Sequence, residues 1–306
     1  MSKFLITIVG PTAIGKTSLA IKLAKKYKTE VISADSRQFY RELNIGTAKP
    51  SKDELSSVKH HLINNISITD KYDISRFEAD ARKIIDKLFK TKDSVILVGG
   101  SGLYIDTILY GIDKMPNIED SLRKKLNEEF ENNGLKNLLA QLKKIDPATY
   151  KNIDLSNHRR IIRALEVSIS SKKPYSSFLT NPSKQSNYNE IIIGLNCDRD
   201  KLHSLINKRV DKMIKCGLIE EVKTLKKFKN LNALNTIGYK EIFDYLNNQT
   251  SLEESVEKIK TNSRRYAKRQ LTYFNSNNKI NWFQNQYEIK NIIKLIESKK
   301  ITQQLT

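Results

Sequence analysis

Residues 10–17 (GPTAIGKT) carry the clearest chemical spacing in this 306-residue chain. They fit the pattern G-x-x-x-x-G-K-[ST], in which Gly10 and Gly15 are the glycines and Lys16 and Thr17 the final pair. The glycines let backbone N–H groups curl around a phosphate, the lysine reaches a phosphate oxygen, and the threonine hydroxyl ligates Mg²⁺. The pattern therefore predicts a phosphate-binding loop with Mg²⁺ at Thr17 and with ATP as the default ligand. The loop residues are Gly10, Pro11, Thr12, Ala13, Ile14, Gly15, Lys16 and Thr17.

A carboxylate follows the second predicted strand. Residues 30–34 (EVISA) form this short strand and deliver Asp35 and Ser36 to its carboxyl end. In an open parallel sheet that end is the ligand edge, where the phosphate-binding loop also lies, so Asp35 is expected to face the phosphate. Two other roles are open for this residue: it caps the next helix, or it holds Mg²⁺ through a water molecule.

The strand predicted at residues 94–98 (SVILV) ends in glycines and a serine. In most phosphate-loop ATPases and GTPases the comparable strand ends in an aspartate that holds Mg²⁺, so its absence here disfavours those classes. Gly99 and Gly100 allow a second backbone segment to approach a ligand closely, and Ser101 offers it a hydroxyl. A simple tight turn is the alternative interpretation.

Two basic segments suggest contact with a nucleic acid. In residues 159–166 (RRIIRALE), Arg159 and Arg163 share one helical face. They either pair with Glu166 or contact phosphates or bases. Residues 264–274 (RRYAKRQLTYF) interleave cations with aromatic rings, which suits RNA phosphates and bases, and a solvated basic helix is the alternative. The four cations of this segment are Arg264, Arg265, Lys268 and Arg269.

An α/β core has to position these side chains. Apolar runs at residues 4–9, 94–98 and 190–195 predict buried strands of the kind found in parallel sheets. Between the last two runs, leucines recur at helical spacing and no strong strand pattern occurs. The predicted fold is α/β, a P-loop NTPase-like parallel sheet flanked by helices, with an inserted all-helical domain. The core comprises residues 1–113 and 190–306 with basic C-terminal helices, and the insertion comprises residues 114–189.

Capping patterns mark three of the helices, and one of them, a capping box at residues 251–254, opens a helix that runs to about Phe274. A capping box at residues 75–78 opens a predicted helix that ends at Phe89. Another helix spans residues 200–216 and ends at Gly217. Arg209 lies beside its apolar stripe and either pairs with a carboxylate or clamps a leaving phosphate.

The composition favours a polyanionic partner and disfavours a membrane. Lysine and arginine exceed aspartate and glutamate by 54 to 34, which gives a net charge of +20, and a lysine-rich genome composition is the alternative reason. No apolar run approaches 18 residues and no signal pattern precedes the first strand, so a cytoplasmic protein without membrane contact is expected. Two distant cysteines indicate neither a disulfide nor a metal site, and a monomer is expected.

Seven segments in a fixed order give the chain a close resemblance to a known family. They are GPTAIGKT at 10–17, ADSRQFY at 34–40, GTAKP at 46–50, HHL at 60–62, GGSGLYI at 99–105, RRIIRALE at 159–166 and RYAKRQLTYF at 265–274. Over residues 4–285 the chain resembles the tRNA dimethylallyltransferases, also called isopentenyl-tRNA transferases. It departs from the family pattern at Ile14, Ser101, His158 and Tyr273.

The resemblance implies a transfer reaction. The dimethylallyl group of dimethylallyl diphosphate passes to N6 of the adenosine beside the anticodon of a tRNA, and diphosphate is released. Asp35 is then expected to accept the amine proton, while Thr12 and Arg209 stabilise the departing diphosphate. The helical insertion is expected to close over the anticodon stem-loop. The tRNA contacts implied by motif match are Asp35, Ser36, Arg37, Gln38, Ser101, Arg123, Arg159, Arg160, Ile161, Ile162 and Arg163.

Two other classes share part of this pattern. A small-molecule or nucleoside kinase would use the same phosphate-binding loop and Asp35 as a base for a hydroxyl. A nucleotide-gated RNA-binding protein would use the basic segments without catalysis. A kinase has little need for the basic helix at residues 264–274, and a binding protein has little need for Asp35 beside Lys16.

Overall fold

The computed structural model describes residues 2–180 and 188–305, which form two compact units. One unit comprises Met1–Leu109 with Gln185–Thr306, and the other comprises Tyr110–Lys184. The second unit covers the region predicted as the helical insertion, with bounds a few residues earlier at both ends. Residues 181–187, which the predicted insertion included, lie outside the described residues.

The larger unit contains a six-stranded sheet in which every pairing of neighbouring strands is parallel, as predicted. The strands are β1 Phe4–Val9, β2 Val31–Ser33, β3 His60–His61, β4 Ser94–Val98, β5 Asn189–Asn196 and β6 Ile280–Gln284, in the order β3-β2-β4-β1-β5-β6. Every residue of β1 is buried because β4 and β5 flank it and helices cover both faces. Its continuous apolar sequence follows from this central place.

Helices surround the sheet and form the smaller unit. Before the smaller unit lie α1 Lys16–Lys26, α2 Lys52–Ser57, α3 Ile74–Phe89 and α4 Gly102–Leu109. The smaller unit contains α5 Asp120–Asn133, α6 Leu135–Ile145, α7 Pro147–Asn152 and α8 His158–Ser171. The larger unit resumes with α9 Arg199–Lys215, α10 Leu218–Thr224, α11 Tyr239–Leu246, α12 Leu252–Asn275 and α13 Ile289–Leu305.

The main core of the larger unit lies against the central strands. Ile6 and Ile8 of β1 are buried there with Leu19 and Leu23 of α1, and α12 contributes Ala267. Burying one such aliphatic side chain stabilises the fold by about 1.5–3 kcal/mol. This packing fixes α1 and α12 relative to the carboxyl ends of the strands, where the phosphate-binding loop begins.

The smaller unit has its own core among its four helices. Leu126 of α5, Leu138 and Leu142 of α6, and Leu165 of α8 pack together with Ile161 and Ile162. Asp146 caps α7 by accepting a hydrogen bond from the N–H of Thr149 at 2.9 Å.

The start of α3 corrects a sequence prediction. The capping box expected at residues 75–78 does not form, because Asp73 caps the helix two residues earlier and accepts from the N–H of Arg76 at 2.8 Å. Glu78 instead accepts a hydrogen bond from Nε of Arg82 at 2.8 Å. The helix therefore begins at Ile74.

Strand β6 was not predicted from the sequence. Most of its residues are only partly buried, so no continuous apolar run marks it. Its Trp282 lies opposite Gly194 of β5, and a Cβ on that glycine would lie 2.5 Å from the indole ring. Gly194 is therefore what allows the tryptophan to cover β5.

Candidate active site

The phosphate-binding loop connects β1 to α1, as its sequence predicted. Gly10 has φ 140°, and a Cβ there would lie 2.4 Å from the carbonyl oxygen of Leu195 in β5. Gly15 has φ 99°, which is left-handed and favours glycine. Ile14, a departure from the family pattern, points into the core with 4% of its surface exposed. The isoleucine therefore anchors the loop and leaves its concave side to the ligand.

Lys16 is the first residue of α1, and its side chain reaches back to the start of the loop. Its Nζ donates to the carbonyl oxygens of Gly10 at 2.9 Å and Pro11 at 2.7 Å. Burial, followed by the positive charge of Arg209, lowers the pKa of Lys16 to about 7, against the opposing effect of Asp35. The lysine thus has a cation and a carboxylate as neighbours, in surroundings that disfavour its own charge.

A cavity of about 320 Å³ lies at the carboxyl ends of the strands, which is the ligand edge of an open parallel sheet. The structure brings most of the predicted catalytic and phosphate-binding residues together on its walls. These residues are Thr12, Ala13, Ile14, Gly15, Lys16, Thr17, Asp35 and Arg209, and Gln38 of the predicted tRNA contacts joins them.

Asp35 follows β2 and closes a tight turn without capping a helix. Its Oδ1 accepts hydrogen bonds from the backbone N–H groups of Arg37 at 2.8 Å and Gln38 at 3.2 Å. An aspartate that bonds to its own backbone two residues on forms an Asx-turn. This turn fixes the carboxylate at the cavity wall, near Lys16 and Arg209.

The turn after β2 is tied to neighbouring segments. The N–H of Ser36 donates to Oγ of Ser101 at 3.3 Å, which joins the ends of β2 and β4. The Nε2 of Gln38 donates to the carbonyl oxygen of Thr47 at 3.3 Å. Ser101, a departure from the family pattern, therefore supplies the hydroxyl expected at this position.

Two residues of α12 that sequence reasoning did not select also line the cavity. Tyr266 and Gln270 lie one helical turn apart and face the loop, and Ala267 beside them is buried in the core. Burial, with Asp35 as the next cause, raises the pKa of Tyr266. In the sequence, the spacing of four residues places Tyr266 and Gln270 on one helical face. The cations around them directed the prediction to RNA binding instead.

The predicted RNA-binding cations of α12 divide into two groups. Arg265, Lys268 and Arg269 are exposed. Arg264 is partly buried, and its guanidinium donates to Oδ1 of Asn207 at 2.7 Å and to Oγ1 of Thr261 at 2.9 Å. A contact of Arg264 with RNA would have to compete with these internal bonds.

In the smaller unit, two arginines, Arg123 and Arg163, pair with Glu166, which is fully buried. Arg123 donates to both carboxylate oxygens of Glu166, with Nη2 and Oε2 2.6 Å apart. Arg163 lies 3.7 Å from the same carboxylate. For Arg163 this favours the ion pair over a direct phosphate contact, whereas Arg159 and Arg160 are exposed.

The structure also corrects the role expected for two isoleucines of α8. Ile161 and Ile162 are 0% and 3% exposed, because they form the core of the smaller unit, so their side chains are not available to a tRNA. Helix α8 is capped by Asn157, whose side chain accepts from the N–H of Arg160. His158, a departure from the family pattern, stacks on Phe130 with ring centroids 4.5 Å apart. The histidine thus orients the start of α8 by stacking.

Within residues 2–180 and 188–305, no group of three or more histidine, cysteine, aspartate or glutamate side chains could hold a metal ion. Over the same residues, none of the helices combines the length and apolar character that a membrane crossing requires. The paired histidines belong to the sheet and not to a metal site: His60 and His61 form β3, and Nε2 of His61 lies 2.5 Å from Oε2 of Glu30.

Comparison with known proteins decides the family. The sequence model of the family described as IPP transferase matches residues 38–277. The chain belongs to this family. A relative from Christiangramia forsetii, named tRNA dimethylallyltransferase, is 50% identical over 299 residues, which is 98% of this chain and 99% of the relative. The similarity to this relative therefore extends over nearly the full length of both chains.

Solved structures agree with the family. A full-length tRNA isopentenylpyrophosphate transferase from Bacillus halodurans is 37% identical, with a TM-score of 0.72 over 98% of this chain and 97% of that one. A eukaryotic dimethylallyltransferase solved while acting on tRNA is 27% identical, with a TM-score of 0.78 over 93% of this chain and 74% of that one. The IPP transferase fold thus extends across both units of this chain.

Proposed function

We propose that this protein is a tRNA dimethylallyltransferase that moves the dimethylallyl group of dimethylallyl diphosphate to N6 of the adenosine beside the anticodon. One observation carries the proposal. In a chain of the IPP transferase family, a single cavity is lined by the loop with Lys16, by the guanidinium of Arg209 and by the carboxylate of Asp35. The loop suits the leaving diphosphate and the carboxylate suits the attacking amine.

The loop and Arg209 stabilise the leaving group. As the bond between carbon C1 of the dimethylallyl group and the diphosphate oxygen breaks, the electron pair leaves with the diphosphate. Lys16, Arg209 and the N–H groups at the start of α1 surround the place where that negative charge develops. The Thr12 hydroxyl adds a hydrogen-bond donor beside them. Because these groups are fixed before the reaction, little reorganisation is needed when the bond breaks.

Asp35 acts on the nucleophile. The exocyclic amine of adenine is a poor nucleophile because its lone pair is delocalised into the ring, so a positioned base helps it attack C1. The amine nitrogen forms the new bond to C1 and gives a proton to the Asp35 carboxylate. The Asx-turn holds Oδ1, and this keeps the carboxylate in place while the adenosine is turned out of its stack into the cavity.

The residues of the cavity fit Mg²⁺ bound mainly by its substrate. Hard oxygen donors are the ligands that Mg²⁺ prefers, and the wall of the cavity offers the Thr17 hydroxyl. Thr17 would hold the ion together with diphosphate oxygens and water molecules. Bound there, Mg²⁺ would neutralise part of the charge of the diphosphate. Because the protein offers few ligands of its own, the ion is expected to enter the cavity together with the diphosphate.

The exposed cations of α12 provide the RNA surface of the larger unit. Arg265, Lys268 and Arg269 lie on the helix whose inner residues, Tyr266 and Gln270, line the cavity. The net charge of +20 supports binding of a tRNA as the polyanionic partner. In the smaller unit, Arg159 and Arg160 are the exposed cations expected to meet the anticodon arm. The protein is expected to act as a cytoplasmic monomer.

A kinase fits the structure less well. The end of β4, which would carry a metal-binding aspartate in many phosphate-loop enzymes, carries Gly99 and Gly100. A Cβ on Gly99 would lie 2.2 Å from the carbonyl oxygen of Ala34, so no larger residue fits there. The family also favours prenyl transfer over phosphoryl transfer.

A labelled-transfer assay tests the proposal. Purified protein is incubated with labelled dimethylallyl diphosphate and unmodified tRNA that carries adenosine beside its anticodon, with ATP in a parallel reaction. Label is expected in the tRNA, and diphosphate is expected to be released in equal amount. Transfer of phosphate from ATP to a nucleoside or another small molecule, without labelled tRNA, would assign the protein to the kinases instead.

A further inference from the structure

Gln270 connects α12 to two segments of the candidate active site. Its Oε1 accepts a hydrogen bond from the backbone N–H of Thr12 at 2.9 Å, and its Nε2 donates to the carbonyl oxygen of Gly100 at 2.8 Å. The residue is only 6% exposed, so both ends of a buried amide are satisfied by backbone groups. The phosphate-binding loop, the end of β4 and α12 are thereby joined through one side chain.

The glycines after β4 are what allow this approach. A Cβ on Gly100 would lie 2.2 Å from Nε2 of Gln270, and a Cβ on Gly102 would lie 2.1 Å from the ring of Tyr273. The hydroxyl of Tyr273 in turn donates to Oδ2 of Asp106 at 2.5 Å. The glycine-rich turn therefore serves to let α12 pack against the strand end.

Gln270 lies on α12 close to both a buried core residue and two exposed cations. Ala267, one turn earlier, is 1% exposed in the main core and fixes the helix against the sheet. Lys268 and Arg269, the two residues before Gln270, are exposed. Helix α12 therefore carries exposed cations directly beside a side chain that is bonded to the loop.

We propose that Gln270 is a positioning residue that holds Thr12 and the start of the phosphate-binding loop in the geometry needed to bind the diphosphate of the donor. The inference rests on the proposed function, because it assigns the loop to a prenyl diphosphate. Replacing the amide leaves the Thr12 N–H and the Gly100 carbonyl without this partner. The loop then loses its fixed geometry, and small misplacements at a reacting centre are costly.

Three variants test the positioning role. In Gln270→Leu, kcat/KM for dimethylallyl diphosphate is expected to fall roughly 10- to 100-fold, with the Kd for tRNA unchanged within about twofold. Gly100→Ala leaves Gln270 in place but displaces its amide, so the same defect is expected. The exposed Gln249→Leu is the matched control and is expected to behave as the unmodified protein.

Gln270→Glu adds a readout that a purely structural role would not produce. A protonated carboxyl group can accept from Thr12 and donate to Gly100, whereas a carboxylate repels both the Gly100 carbonyl and a diphosphate. The activity of Gln270→Glu relative to the unmodified protein is therefore expected to rise as the pH falls from 8 to about 6. The relative activity of Gln270→Leu is expected to stay constant over the same range.

Binding of inorganic diphosphate, measured by calorimetry, separates this inference from the proposed function. If the unmodified protein transfers label and Gln270→Leu has the same kcat/KM for the donor, the positioning role is wrong and the function stands. If the unmodified protein transfers no label but binds diphosphate more tightly than Gln270→Leu does, the function is wrong and the positioning role stands. The positioning role would also be wrong if two results occurred together. Gln270→Leu would lose diphosphate affinity and tRNA affinity equally, and the relative activity of Gln270→Glu would not depend on pH.

Discussion

In the proposed reaction, Lys16 serves the leaving diphosphate and Asp35 serves the attacking amine. Lys16 lies in surroundings that disfavour its charge until an anion arrives, because burial and Arg209 outweigh the effect of Asp35. Asp35 is held by two backbone N–H groups and keeps its place without a ligand. The surroundings of Lys16 are therefore expected to respond to substrate binding, whereas the carboxylate proposed as the base is fixed beforehand.

Binding of a diphosphate is expected to take up a proton through Lys16. The free protein loses this proton as the pH rises through about 7, and a bound anion stabilises the charged form and so raises the pKa of Lys16. Proton uptake is thus expected at pH 8, where the free lysine is mostly neutral, and little at pH 6, where it is already charged. Calorimetry in two buffers of different ionisation enthalpy measures it, with Lys16→Met reporting the proton exchange of the ligand alone. Equal uptake by the two proteins at pH 8 would contradict the assignment.

Asp35→Asn is expected to lower the rate of transfer by about 10²- to 10⁴-fold, because the amide cannot accept the proton of the amine. An asparagine Oδ1 can still accept the two backbone hydrogen bonds, so the turn should survive. The Kd for tRNA is expected to stay within about tenfold, or about 1.4 kcal/mol. Single-turnover rates and a filter-binding titration measure the two effects. Turnover at the unmodified rate would remove Asp35 from the role of base.

Helix α12 has buried and exposed residues on opposite faces. Its inner face contributes Ala267 to the core and Gln270 to the cavity, while Arg265, Lys268 and Arg269 point outward. Most of the stability of such a helix comes from packing of its apolar face, so the outer cations are free to serve binding. This division explains why a 24-residue helix can carry so much positive charge.

Removing the outward cations of α12 is expected to weaken tRNA binding in a salt-dependent way. In the double variant that combines Lys268→Gln and Arg269→Gln, the line of log affinity against log salt is expected to become shallower. Its slope should lose roughly 0.7 to 0.9 in magnitude for each phosphate that the helix no longer neutralises. The exposed Lys294→Gln on α13 is the matched control for removal of charge alone. If the double variant and the control have the same slope, α12 does not contact the phosphates.

The pairing of β5 with β6 depends on one glycine. Gly194→Ala would place a methyl group 2.5 Å from the ring of Trp282, and overpacking of this kind costs about 1–3 kcal/mol. A corresponding decrease in the free energy of unfolding is expected from urea titration. In the double variant with Trp282→Leu, the alanine should cost less than it does alone. An unchanged free energy of unfolding in Gly194→Ala would show that the tryptophan does not pack against β5.

For the whole molecule, sequence reasoning was most accurate where the signal is local. The strands β1 and β4 have the predicted bounds because they are continuous apolar runs at the centre of a parallel sheet. Residues 10–17 and Asp35 lie after the strands that the sequence predicted, because the motif and the strand end are both close in sequence to the elements that position them. The family was predicted correctly from seven ordered segments.

What the sequence could not reveal depends on long-range packing. Gln270 meets Thr12 across 258 residues, and no local pattern marks that contact. The cap at Asp73 competes with a good capping sequence two residues later, and only the path of the chain decides between them. Ile161 and Ile162 lie within a motif associated with tRNA, yet their burial shows that such a motif also contains residues that build the core.

The most direct test is nucleoside mass spectrometry of tRNA after reaction with dimethylallyl diphosphate. With the unmodified protein, the adenosine beside the anticodon is expected to gain one dimethylallyl group on N6. With Asp35→Asn, after the same reaction time, nearly all of this adenosine is expected to remain unmodified. If the protein without substitutions is folded and binds tRNA but leaves this adenosine without a dimethylallyl group, the proposed function is wrong. A dimethylallyl group on a different nucleoside would also contradict it.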